Sequence, residues 1–165
     1  MEFDRRIATA DKNSQLSPEG RAFVQLETAR LRCEALMSGV GRRDDLQAIH
    51  RELGLAGYVT CEPFAAEQRR DCVALAACRV VEDPVVRGER PRPAPAEVGR
   101  ALSKMFAETI AASDALAAGL SSHDLDDAHR DRLHLVHAHV MAACELLDER
   151  LTVLELANIG INAAN

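Results

Sequence analysis

Aromatic residues make up only 3% of this 165-residue chain, with no Trp, one Tyr (Tyr58) and four Phe. Strands and sandwich cores lean on aromatic and β-branched side chains, so this scarcity turns the reading towards helices packed closely on small residues. Lysine is rarer still: two of the twenty basic residues, with arginine supplying the rest. Together with the abundance of alanine, this bias reads as the mark of a GC-rich bacterial genome. The formal net charge of −6 leaves nucleic-acid binding to a local basic patch, because phosphate neutralisation needs concentrated Lys and Arg. Arg42 with Arg43, Arg69 with Arg70, and the spaced Arg87, Arg90 and Arg92 are too thin for that and read as solvated surface. Nucleic acid is not expected among the partners.

Long apolar runs are missing as well. The most notable, Cys72 to Cys78, is bounded by Asp71 and Arg79 and falls far short of the roughly 20 residues that a bilayer demands. Met1-Glu2-Phe3-Asp4-Arg5-Arg6 has no apolar stretch after its charges, so no secretory signal is expected. Five cysteines (Cys33, Cys61, Cys72, Cys78 and Cys144) form no Cys-x-x-Cys pair and are odd in number, which suits mostly buried thiols in a reducing compartment. A cytoplasmic location without membrane contact follows as the expectation.

Catalytic signatures are absent too. Gly39-Val40-Gly41 lacks the third glycine, the lysine and the preceding strand of a phosphate loop, and neither a nucleophile elbow nor a zinc-protease His-Glu-x-x-His occurs. A di-iron bundle needs Glu-x-x-His from two helices, and the nearest match is a single Asp131-x-x-His134. No haem attachment motif is found, and no cofactor is expected. Among the thiols, Cys72 and Cys78 lie within Val73 to Ala77 and read as buried. Cys61, before Glu62-Pro63 at a presumed helix start, is the one whose pKa a helix dipole would lower.

What the chain does carry is helical periodicity. With 47% hydrophobic and 28% charged residues it has the balance of an ordinary globular protein, and its length suits one core. Residues 1–16 are polar and aperiodic and are expected to form a flexible N-terminal segment. Ser17-Pro18-Glu19 reads as cap, first helical residue and dipole-complementing acid. Ala22, Leu26, Ala29, Cys33, Leu36 and Val40 then recur at alternating steps of four and three, the stripe of a packed helix. A short second helix is predicted from the Asp44 cap through Leu46, Ile49 and Leu53 to a stop at Gly54, with Leu55 to Cys61 briefly extended. A third is predicted over about Pro63 to Val81. Pro84, Pro91, Pro93 and Pro95 mark residues 83–95 as an extended linker. A fourth helix is predicted over about Ala96 to Ala118, with Val98, Leu102, Met105, Thr109, Ala112 and Leu116 as its inward stripe. A fifth buries Leu133, Val136, Val140, Ala143, Leu147 and Leu154, and the short loop between them implies a long C-terminal antiparallel hairpin.

The expected fold is therefore all-α: a single-domain bundle of about five helices over residues 17–157, with a loose tail at 158–165. Helices one, three, four and five would form the body, and helix two a short cross-piece.

Five of the six histidines fall between His123 and His139. At 100° per residue His134, His137, Met141 and Cys144 share one side of the last helix, where imidazole, thioether and thiolate would suit copper(I), or zinc without Met141. The plainer reading makes them partly exposed polar and packing residues, or a pH-responsive interface. The leading functional expectation is a non-enzymatic bacterial accessory or regulatory protein that associates with itself and with a protein partner through its helices. A metal or small-ligand sensor is the alternative, and an enzyme of unrecognised reaction comes third.

Overall fold

The computed structural model describes residues 15–122 and 124–164, with side chains described up to Ala157. Most of the expected flexible segment, together with His123 and Asn165, lies outside the described residues. Among the described residues there are six helices and no strand: α1 Pro18–Val40, α2 Asp44–Cys61, α3 Ala66–Val80, α4 Pro84–Arg87, α5 Pro95–Leu120 and α6 Asp127–Ala164. Helix α1 starts as its sequence dictates, with the Ser17 hydroxyl accepting from Gly20 N–H at 3.1 Å and Pro18 at the first position. It ends at Gly41, whose φ of 95° lies in the region that favours glycine.

Side-chain pairs fix how the long helices run. Between α1 and α2, Phe23 lies by Gly57 while Cys33 Sγ reaches the Leu46 carbonyl at 3.4 Å, so the two are antiparallel. Between α1 and α5, Pro18 abuts Gly119, Arg32 meets Glu108 and Gly39 abuts Pro93, again in reversed order. The same holds for α2 with α6 (Asp45 with Arg150, Glu52 with His139) and for α5 with α6 (Ser113 with His137, Gly119 against Leu133). Around the square α1–α2–α6–α5 every neighbour is antiparallel, which makes the diagonal partners α2 and α5 parallel. Residues 62–94 must therefore travel the length of the bundle, and α3 does so along the outside of α1. It begins where Phe64 meets the Phe23 ring edge-on at 5.9 Å and finishes where Asp83 reaches Arg32. The architecture is a four-helix bundle with one long crossover connection.

The all-α bundle stands, but its membership differs from expectation. Helix α2 is no cross-piece: Leu46, Ile49, Leu53 and Ala56 are buried in the same cluster as Leu26, Leu36, Leu102, Met105, Leu133 and Leu147. It continues through Gly54 and Gly57 to Cys61 rather than stopping, because each interior glycine costs only about 1 kcal/mol while the buried face of the helix runs on. Helix α3 is the outlier. It packs on the back of α1 in a separate small cluster of Phe23, Val24, Cys61, Cys72 and Leu75.

The proline-rich stretch is not simply extended either. Asp83 Oδ1 accepts from Val85 N–H at 2.9 Å and caps the short α4, which Gly88 closes at φ 64°. Residues 158–164 stay helical instead of leaving α6, since no proline between 127 and 164 removes a helical donor. Among the described residues no helix is long and apolar enough to cross a membrane.

Candidate functional site

Helix α6 carries four of the six histidines, and the bundle divides them. With 38 residues it is the longest element, and Leu133, Val136, Val140, Ala143 and Leu147 hold one side of it against the core. On its flanks the histidines reach to different helices. His129 Nε2 donates to Glu19 Oε1 of α1 at 2.9 Å, and His139 Nδ1 donates to Glu52 Oε2 of α2 at 2.7 Å. His137 Nε2 lies 3.4 Å from Ser113 Oγ of α5. Of the four residues read as possible ligands, His134 and Met141 are exposed, His137 is half-buried against α5 and Cys144 is turned into the core. They fan from solvent to interior across the helix. Among the described residues no three His, Cys, Asp or Glu side chains gather as a metal ion would require.

The outward surface of α6 is more apolar than its histidines suggested. Leu135 is 50% exposed and Val153 56% exposed. They are 18 residues apart, which is five full turns and roughly 27 Å along one side. Ala138, Ala142 and the half-buried Leu146 fall on the same side between them, the exposed Glu149 interrupts the row, and Leu156 follows one turn beyond Val153, 63% exposed. This stripe lies on the shoulder facing α2, where His139 meets Glu52, and α2 itself exposes Leu55 and Tyr58. It escaped the sequence reading because alanines blur its period and the histidine spacing drew attention to the opposite shoulder.

A second constellation gave no motif at all. Arg32 of α1, almost fully buried, donates from Nε to Glu108 Oε1 of α5 at 2.6 Å and from Nη1 to Asp83 Oδ2 at the head of α4. Lys104 Nζ stands 3.7 Å from the same Asp83 oxygen. Burial pushes the Glu108 carboxyl above the usual range even though Arg32 is hydrogen-bonded to it, and its Oε2 is buried without a hydrogen-bond partner. Burial likewise lowers the Arg79 guanidinium on α3, against the pull of Glu108. The group joins bundle and crossover by charge, and its place between α1, α5 and α4 makes it a clamp on the fold.

The thiols reverse the expectation. Cys61 is the last residue of α2, at the negative end of that helix and ahead of α3, which starts only at Ala66. It is buried, and desolvation raises its pKa despite the nearby Arg69. Burial also raises Cys72 and Cys144, and pushes Cys33 to about 12. Cys78, expected inside, is exposed. A disulfide exchange reagent at mildly alkaline pH is therefore expected to modify one thiol quickly and the other four only on unfolding. A Cys78→Ser chain that still shows a fast equivalent would refute this.

No family model, curated protein or solved structure matches this chain. Its class rests on its own geometry: a four-helix bundle with one crossover helix, its interior filled by Leu, Val, Met and Ala, and a partly apolar face on its longest helix.

Proposed function

We propose that this chain is a non-catalytic accessory or regulatory protein that works through helix-mediated contacts, first with a second copy of itself and through the same surface with a protein partner. The observation that carries this reading is the outward stripe of α6, where Leu135, Val153 and Leu156 stand exposed along a rigid helix. A lone exposed leucine needs no explanation, but aligned apolar side chains over several turns are what paired helices bury. The interior supports the same reading. The central cluster shared by α1, α2, α5 and α6 is built from aliphatic side chains, so these helices hold the α6 stripe in place by packing.

The test is mass in solution. Light scattering is expected to give about twice the chain mass of 18.0 kDa, falling to a single chain in a Leu135→Glu/Val153→Glu double variant with unchanged helicity. A mass of 18.0 kDa at every concentration would exclude self-association.

The rival reading is a metal sensor using His134, His137, Met141 and Cys144, favoured by the exposure of His134 and Met141 on one shoulder. Elemental analysis after dialysis is expected to find no stoichiometric copper or zinc. One metal per chain, lost on His137→Ala and accompanied by a higher melting temperature when bound, would put the sensor reading first.

A further inference from the structure

At one end of the bundle, between the C-terminus of α1, the starts of α2 and α5 and the later turns of α6, lies a cavity of about 260 Å³. Its walls are apolar: Leu36, Val40, Leu46, Val98, Leu102 and Leu154, with Pro93 and Pro95 at the entry to α5. Two arginines complete the lining, Arg43 and Arg150. Arg150 places Nη1 3.2 Å from Asp45 Oδ2, while its Nε is buried and has no hydrogen-bond partner. Arg43 is exposed and makes no ion pair with any described residue.

The topology adds positive potential at this end. Because α2 and α5 are parallel, both begin here, and neither has a side-chain cap: Arg43, and not the Asp44 expected there, and Ala94 occupy the cap positions, and only their carbonyls bond to the first turn. The acids of those first turns are largely engaged. Asp45 is held by Arg150 and by Leu46 N–H, and Glu97 pairs with Arg90 at 3.1 Å. Asp44, the third acid of those first turns, is exposed. A guanidinium with an unused buried donor beside an open, aliphatic-walled cavity combines an anion contact with apolar walls, the usual composition of a small-molecule site.

We propose that this cavity binds a small amphipathic carboxylate, its acid group on Arg150 and Arg43 and its hydrocarbon tail among Leu36, Leu102 and Leu154. Volume sets the size of the ligand. A 150 Å³ cavity holds benzene, so this one accommodates roughly ten non-hydrogen atoms, the size of an eight-carbon fatty acid. This proposal does not depend on the association proposed above, because the cavity and the outward stripe of α6 involve different faces and the readouts differ.

The probe is octanoate, titrated into the full chain by calorimetry and followed by melting temperature. Saturable binding at one site and a rising melting temperature are expected, with octanol, which has the same tail and no charge, at least tenfold weaker. Val98→Phe, which fills the cavity with an apolar ring, is expected to abolish binding while leaving the helical signal intact. Arg150→Met is expected to weaken octanoate at least tenfold without affecting octanol. Since that change also removes the Asp45 pair, Arg43→Ser, at an exposed position, gives an independent reading and is expected to weaken octanoate alone. Absence of a saturable signal at millimolar octanoate, equal affinity for octanol, or full binding by the Val98→Phe chain would each overturn the proposal.

Discussion

Replacing Arg32 with methionine is expected to destabilise the fold by about 3–5 kcal/mol, enough to consume much of the stability of a domain of this size. Methionine keeps the bulk of the arginine stem, so the loss is mainly electrostatic. Asp83 and Glu108 would remain buried beside each other without the guanidinium that now bonds to both. Lys104, at 3.7 Å from Asp83 and half-exposed, offsets a small part. The deficit carries a pH signature. The Glu108 carboxyl already sits above its ordinary range, with burial as the largest cause. A group whose folded pKa is raised contributes its stability in full below the unfolded value and loses it as pH rises through the folded one. Without Arg32 that pKa climbs further, so the variant should be closest to the parent chain in mild acid and fall behind as pH rises past the carboxylate range. Urea unfolding at a series of pH values measures this, and a deficit under about 1 kcal/mol at neutral pH would mean that the cluster is solvated rather than buried.

Leu53→Ala is the second large effect, expected to cost about 2–5 kcal/mol. Leu53 is 1% exposed and belongs to the central cluster shared by α1, α2, α5 and α6. Truncating it leaves a void between helices that cannot close without shifting the whole square. Leu75→Ala on α3 supplies the contrast. That side chain is 7% exposed in the small satellite cluster behind α1, where a single helix can relax inward, so its cost should fall at the lower end of the same range. If the two values were reversed, α3 and not α2 would be the fourth member of the bundle.

Those contrasts mark where a one-dimensional reading stops. The stripes of α1, α5 and α6 are legible in the sequence except at their ends, where Val40, Val98 and Leu154 are only half-buried, because burial on one face of a helix imposes a four-three spacing. Ser17-Pro18 announced the start of α1 for an equally local reason, since a cap and a fixed φ act within one turn. The same pattern recurs at Asp83-Pro84 and could have announced α4; the density of prolines behind it concealed the signal. Helix α2 runs past the stop that Gly54 signals, because a glycine inside a helix with a buried face only lowers its stability.

What the sequence by itself determined, then, is the helical class, most of the inward faces and the starts of α1 and α5, all set by interactions within a few residues. Helix α6 begins at Asp127, where Asp126 Oδ1 accepts from His129 N–H, and not at a Ser121 or Ser122 cap. The tertiary structure alone decided that α2 lies inside and α3 outside, that the histidines of α6 serve α1, α2 and α5 separately, that Arg32 meets partners 51 and 76 residues away, and that two parallel helix starts converge on the cavity lined by Arg43 and Arg150. Each of these depends on which helices become neighbours. Spacing along the chain is silent on that point, because a helix that can bury an apolar stripe gains the same free energy from any partner whose surface fits.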